Sequence, residues 1–507
     1  MRFLNDWLLT ILLLVPAIGG AAVLWVRPVR AARRTAIGIA LATFCLSLLI
    51  LIPFRRQQGM AYDDAPLGTV QMVRSLEILP AMHAGYRVAM DGLSLPFVVL
   101  TTFLCAVLVV LPPVDERRPR VQLAMFLWLE LATLGVFLAF DFLLLWAFLA
   151  FMVLPCSGLI WLSAGGGRAR ATMAFLVPML VALACLLVAV MGERLMSTHC
   201  LTGGTLDLVR LAACPAGWGM QTLFALALIS FLLRLPVVPF HSWLTAIAAE
   251  TSPAVAGAIG ALLPLTGGYG LFRVVLPLFP AAAASLWWVM AGLGLLTVFY
   301  HALAAIGQPG LRRAVVHLSI TMSGFVLIGA ATYTPAGANG AVFTLLAGSL
   351  ISAFLLLLAG GTGAAGESEL SPQSGTAWGA SLMAGMLTLL AVSGFLGPVV
   401  VLFGAFQAAQ RDSMLLRLRA ASPGWLIALA GGIAIGSLLF GLAGVQVMRS
   451  ITGTDRSSPP AQAVEERCFN VAVLAPLAVV TVLLGGFAAP WCFAFTRRAI
   501  GALMGMP

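Results

Sequence analysis

Ionisable side chains are scarce in this sequence, and several stand where charge is costly. In residues 231–243, FLLRLPVVPFHSW, an apolar run is interrupted by Arg234, by Pro236 and Pro239, and then by His241. Glu130 lies in LWLELATLG and His317 in AVVHLSI, again with apolar residues on both sides. Carboxylate, imidazole and guanidinium groups spaced along apolar chain are the parts of a proton path. Some bind and release a proton, water bridges them, and a fixed charge polarises the water. An intramembrane charge costs about 2.5–3.5 kcal/mol on insertion scales, so it persists for a function or a partner. Two readings of Arg234 stand: a fixed cation beside a buried water path, or a structural bridge to an acid or to carbonyls freed around Pro236. Glu130 reads as a proton carrier or as a satisfied structural carboxylate. His241 and His317 read as members of a water chain or as hydrogen-bonded core histidines.

The composition limits the chemistry further. The chain has 507 residues, 61% hydrophobic and 9% charged, with a mean hydropathy of +1.05. Soluble domains carry roughly 25% charged residues, so this chain cannot clothe a globule in polar surface. The net charge of +10 comes from arginines scattered between apolar runs, which points away from nucleic acid. All 28 basic residues are arginine. Arginine stays protonated in proteins, whereas a buried lysine can trade its proton, so any mechanism needing a titrating lysine is closed to this chain. The eight cysteines show no C-x-x-C spacing and sit mostly in apolar runs, as small core residues do. Neither a metal-ligand pattern nor a Gly-rich phosphate loop is present, and the sequence gives no reason to expect a cofactor in this chain.

The elements that must position these residues are membrane helices. Apolar segments of bilayer length fall near 7–26, 35–53, 92–113, 121–140, 142–163, 171–191, 219–247, 254–275, 281–303, 311–332, 339–360, 376–408, 424–446 and 470–490. The expected class is an all-α integral membrane protein of about 14 spans, with the first helix retained and both termini on one side. Arginines divide almost evenly between the two sets of loops, so charge does not fix which side that is. Pro236 lies 115 residues after position 121, and Pro398, in GFLGPVV, lies 117 after position 281. Matching interruptions read as a five-helix unit used twice, each with a broken helix inside it. Residues 1–120 then hold helices 1–3, 121–275 helices 4–8, 281–446 helices 9–13, and 447–507 helix 14 and a tail.

RLPVVPFHSWL, followed by SPAVAGAIGALLPLTGGYGLFRVVLPLFP, resembles the antiporter-like membrane subunits of complex I, the proton-pumping NADH:quinone oxidoreductase. The YGLFR…LPLFP ending is most similar to the subunit M type, and related cation/proton antiporter subunits share the broken-helix signature. VAMDGLSLPFVVLTTFL, LELATLGVFLAFDFLLLWAFLAFMVLP, LRRAVVHLSITMSGFVLIG and SGFLGPVVVLFGAFQ extend the likeness over essentially the whole chain. The resemblance implies two inverted five-helix repeats, with helices 7 and 12 broken at Pro236, Pro239, Gly397 and Pro398. It also implies a seat beside other membrane subunits in the bacterial-type inner membrane, termini outside, in a complex that couples quinone reduction to proton transport. The alternative is a cation/proton antiporter or ion-uptake module. In neither case is the chain redox-active itself, and a quinone site within it has no support in the sequence.

This sequence departs from the family pattern at nearly every ionisable step. Arg234 takes the seventh-helix lysine position. Ala150 stands where the fifth helix carries a glutamate, Leu265 or Thr266 where the eighth carries a lysine, Met322 and Gly348 where histidines occur, and Pro398 where the twelfth carries an acid. Glu130, Asp141 and His241 remain at family positions. Asp91 is expected to start the third helix, Asp141 to cap a helix end, and Arg273 to face a loop or interface. A degenerate or inactive proton channel is the expectation that follows.

Overall fold

The structure is a computed structural model that describes residues 2–56, 70–79, 84–111, 118–196, 205–212, 220–360, 394–410, 415, 421–452 and 479–480. Lipid offers the backbone no hydrogen bonds, so each apolar run closes its own as a helix. Among the described residues ten helices are long and apolar enough to cross a membrane, and three shorter apolar helices accompany them. Of the expected span 376–408 only residues 394–408 are described, and the expected span 470–490 falls outside the described residues apart from 479 and 480. Among the described residues the chain divides into two compact units: those within 1–235 and 265–285 form one, and those within 236–264 and 286–480 form the other.

Unit 1 begins with α1 (Arg2–Trp25) and α2 (Val29–Arg56), followed by a hairpin of β1 (Gln71–Leu79) and β2 (Ala84–Met90). The strands are antiparallel, with Arg74 opposite Val88 and Leu76 opposite Tyr86. Then come α3 (Ser94–Val109), α4 (Pro119–Leu138), α5 (Phe142–Ser163), α6 (Arg168–Met196), the short α7 (Leu208–Ala212) and α8 (Met220–Arg234). Helix α4 packs against α1, α3 and α5, and α6 packs against α5 and α8.

The link between α4 and α5 is tied into the hairpin. The Phe140 amide donates to the Arg87 carbonyl at 3.0 Å, and the Phe142 amide to the Leu206 carbonyl at 2.8 Å. Asp141 caps α5, its Oδ1 accepting from the Leu143 and Leu144 amides at 2.9 and 3.3 Å, while the Gly85 amide donates to its Oδ2 at 3.2 Å. That is the capping role expected of this residue, because the first turn of a helix leaves amides without partners.

The chain leaves unit 1 at Leu235 and enters unit 2 at Pro236. Residues 235–241 are not helical, and α9 (Ser242–Glu250) resumes after them. Helix α10 (Pro253–Gly270) starts in unit 2 and ends in unit 1, where a π-helical turn (Leu271–Val275), α11 (Leu276–Leu278) and α12 (Pro280–Ser285) follow. The unit 1 end of α10 meets the end of α8 directly. A Cβ on Gly267 would lie 2.5 Å from the Leu235 nitrogen, so only glycine fits there.

Unit 2 contains α13 (Trp287–Gly307), α14 (Leu311–Ala331), α15 (Pro335–Gly360), α16 (Gly394–Ala408) and α17 (Pro423–Thr452). Helix α14 lies between α13 and α15. It is buried almost all round, whereas α13 keeps Trp288, Leu296 and Leu303 exposed on one side. Helices α13 and α14 cross with their backbones touching: a Cβ on Gly294 would lie 2.9 Å from the Gly324 carbonyl oxygen, and one on Gly324 2.8 Å from that of Gly294.

Gly397 and Pro398, expected at a helix break, lie in α16, whose described residues are helical from Gly394 through Ala408; residues 361–393 before it lie outside the described residues.

Candidate functional site: charges in the membrane helices

Arg234 ends α8 and is 1% exposed. Its Nη1 donates to the Ser230 carbonyl at 3.1 Å and to the Ser230 hydroxyl at 3.3 Å. Its Nη2 is buried with no hydrogen-bond partner. Among the described residues no carboxylate lies within 4.0 Å of the guanidinium. Among the described residues the guanidinium therefore has no acid, and it bridges to a carbonyl one turn back in its own helix, so the fixed cation and the structural carbonyl bridge both stand.

Glu130, on α4, is fully buried, and neither carboxylate oxygen has a hydrogen-bond partner. Among the described residues no side chain or backbone group satisfies this carboxylate. The Cys105 thiol on α3 lies within electrostatic reach of it. A carboxyl group in such a place can hold a proton.

Ala150 lines a groove of about 660 Å³ between α5 and α6, with Trp146, Val153, Leu176 and Leu183 among its walls. Its methyl group leaves that face apolar.

A buried ion pair in unit 1 escaped the sequence reading. Arg273, in the π-helical turn, reaches Asp91 at 2.6 Å, and both are 2% exposed. Its Nε donates to the Tyr269 hydroxyl at 2.9 Å and its Nη2 to the Ser94 hydroxyl at 3.2 Å. Tyr269 donates to the Phe137 carbonyl at 3.0 Å. The guanidinium also stacks 4.5 Å above the Phe140 ring. Arg273 is thus a core residue, not the loop or interface residue expected. Asp91 does start α3, accepting from the Ser94 amide at 2.8 Å, and it answers the Arg273 charge as well. Nothing in the sequence ties two residues 182 positions apart.

In unit 2 the break before α9 exposes backbone groups. The Val238 amide finds the Thr297 hydroxyl of α13 at 3.0 Å. At the end of the break, three of the chain's five histidines meet. The His241 ring stands edge-on to that of His301, with centroids 4.4 Å apart. His301 stacks on His317 at 5.1 Å, and their Nδ1 atoms are 2.8 Å apart. The Gly294–Gly324 crossing explains the meeting. His301 lies seven residues after Gly294 and His317 seven before Gly324, so an antiparallel pair brings both to the same level, about 10.5 Å from the crossing. The sequence reading named His241 and His317 and missed His301. The legible signal was the equal spacing of each histidine from a glycine across the QPG turn.

Met322 and Gly348 face one another, a Cβ on the glycine falling 3.2 Å from that of Met322. Beside them is a cavity of about 10 Å³ lined by Ser319, Ser323, Thr344, Ser349 and Ser352. That is room for about one water, not a file of them.

Residues 139–422 match the model of the NADH:quinone oxidoreductase/Mrp antiporter transmembrane family. The chain is 30% identical over 411 residues to NAD(P)H-quinone oxidoreductase chain 4 2 of Thermosynechococcus vestitus, covering 78% of this chain and 74% of that one. With NAD(P)H-quinone oxidoreductase chain 4 3 of a Picosynechococcus species the identity is 33% over 293 residues, which span 58% of this chain and about half, 53%, of the relative. Among solved structures, a chain of respiratory complex I from Thermus thermophilus with bound NADH superposes with a TM-score of 0.76 at 25% identity, covering 97% of this chain and 99% of that one. A chain of the Mrp complex from Dietzia sp. DQ12-45-1b gives 0.79 at 19% identity, with 99% and 98% covered, a likeness of fold alone.

Proposed function

The chain belongs to the NADH:quinone oxidoreductase/Mrp antiporter transmembrane family, and on that footing we propose that it is a membrane-arm subunit of a complex-I-type assembly that couples quinone reduction to proton transport. Its helices number about fourteen in two inverted five-helix repeats, it lies among other membrane subunits of a bacterial-type inner membrane with both termini outside, and it carries no redox group itself. Its own proton channel is degenerate: it fills the arm and transmits conformational strain without the full relay of its relatives.

One observation carries this reading. The helix break holds a guanidinium that cannot exchange its proton and has no acid beside it among the described residues. Beside Met322 and Gly348, unit 2 has a cavity lined by hydroxyl groups with room for about one water. Hydroxyls orient a proton path but do not store a proton at neutral pH.

The test is proton uptake by liposomes containing the purified assembly, in wild type, Arg234→Ala and Glu130→Gln. Undiminished uptake per electron in both variants supports a passive subunit; a clear loss in either defeats the degenerate channel. The likeness to the Mrp fold favours a second reading, a cation/proton antiporter module. Copurification decides between them, since recovery with iron–sulfur and quinone-module subunits excludes the antiporter.

A further inference from the structure

The histidine cluster of unit 2 contains a residue that the family resemblance does not assign. His301 is fully buried on α13, and His317 and His241 are half-buried on either side of it. Two nitrogens in the cluster, His301 Nε2 and His241 Nδ1, are buried without hydrogen-bond partners. No described carboxylate lies within 4.0 Å of any of the three rings.

The chemistry follows from the 2.8 Å contact between His301 Nδ1 and His317 Nδ1. Two imidazole nitrogens approach so closely only when one carries hydrogen and the other a lone pair. In the neutral pair one ring is therefore the Nδ1–H tautomer, and its Nε2 is a bare lone pair. One added proton goes to that Nε2 and leaves the shared hydrogen bond intact, now donated by a cation and so stronger. A second would have to go to the accepting Nδ1, which would set two N–H groups against each other at 2.8 Å. The pair holds one proton and rejects the next.

His241 gives this site its entrance. It is the residue before α9, flanked by exposed Pro239 and Ser242, and its ring edge meets His301. The other polar or charged groups nearby are few. Tyr300, on α13, is half-exposed, with its ring 4.9 Å from that of His301. On α14, Arg312 donates to the Thr251 carbonyl and Arg313 lies one turn before His317; on α9, Glu250 sits at the far end.

We infer that His241, His301 and His317 form a site that binds one excess proton, entered at the helix break and centred on His301. This deepens the function proposed above and rests on it only for what the bound proton serves, not for the binding itself.

The test uses the full chain in lipid nanodiscs, with whatever subunits copurify, and ring-labelled histidine followed by infrared difference spectroscopy across pH 5–8.5. Linked sites titrate as a unit, so His301→Gln is expected to change the proton affinity of both His241 and His317 by about tenfold, and more than one imidazole's signal is altered. His317→Asn, at a half-exposed position, probes the same pair from α14 should the first variant fold poorly, and is expected to move the titration of His301. If each variant removes one imidazole's signal and leaves the others titrating as before, the site is overturned. The subunits recovered in the same preparation separate the two readings. Linked titration without quinone-module subunits keeps the proton site and sinks the assembly; quinone-module subunits with independent titration do the reverse.

Discussion

Two buried arginines of unit 1 should respond to the same substitution with opposite signs. Arg234 carries an intramembrane charge worth about 2.5–3.5 kcal/mol of insertion cost. Against this stands one charge-assisted hydrogen bond to the Ser230 carbonyl, worth about 1.5 kcal/mol at its 3.1 Å length. The 3.3 Å approach to the Ser230 hydroxyl adds little, and Nη2 is unbonded. Replacing Arg234 by methionine keeps the bulk and removes the charge, so Arg234→Met is expected to stabilise the chain by about 1–2 kcal/mol, the difference between those terms. Arg273→Met strips the partner from Asp91 across a 2.6 Å contact and leaves a buried carboxylate alone, a loss of about 3–5 kcal/mol. Unfolding by added SDS, followed through tryptophan fluorescence, ranks the three proteins. A stability loss in Arg234→Met would refute the reasoning, because it would mean that the guanidinium is held by something stronger than its own helical turn.

Further expectations concern the break, the crossings and the cap. Gly267→Ala should cost about 1–3 kcal/mol, because its Cβ meets the Leu235 backbone nitrogen, which cannot step aside. Gly292→Ala, with open space around it, should gain up to about 1 kcal/mol from helix propensity in the same assay. Thr297→Val should lose about 1–3 kcal/mol by orphaning the Val238 amide, and Thr297→Ser should restore most of it. Burial raises the Asp141 carboxyl above its ordinary value, against the pull of the amides it caps and of Arg87. Its contribution to folding is then fully present below the unfolded pKa and fades as pH rises through the higher folded one. Asp141→Asn should flatten that part of the stability–pH curve, and an unchanged slope would mean that Asp141 does not set it.

Hydrophobic runs of bilayer length fix helices wherever they occur, since a lipid-bound backbone has no other way to close its hydrogen bonds. On that ground the sequence by itself determined the mostly helical membrane class and the end of a helix at Arg234, whereas the expectation of a wholly α-helical chain missed the β1–β2 hairpin, whose strands pair across chain neighbours and not within one run. Asp141 was legible as a cap for a related reason: a cap is satisfied by amides two and three residues away. The rest depended on distance in space. The pairing of Asp91 with Arg273 and the stacking of His301 on His317 are set by how helices cross, and a crossing is chosen by small residues such as Gly294 and Gly324 that carry no chemical signal of their own. Proline alone does not say where a helix stops. Pro236 coincides with a break, while the described residues around Pro398 are helical, although each ring removes a backbone donor. Only the tertiary structure decided which of these applied, and only it left Arg234 without an acid and Glu130 without a hydrogen bond among the described residues, because pairing is a property of neighbours that the chain order does not name.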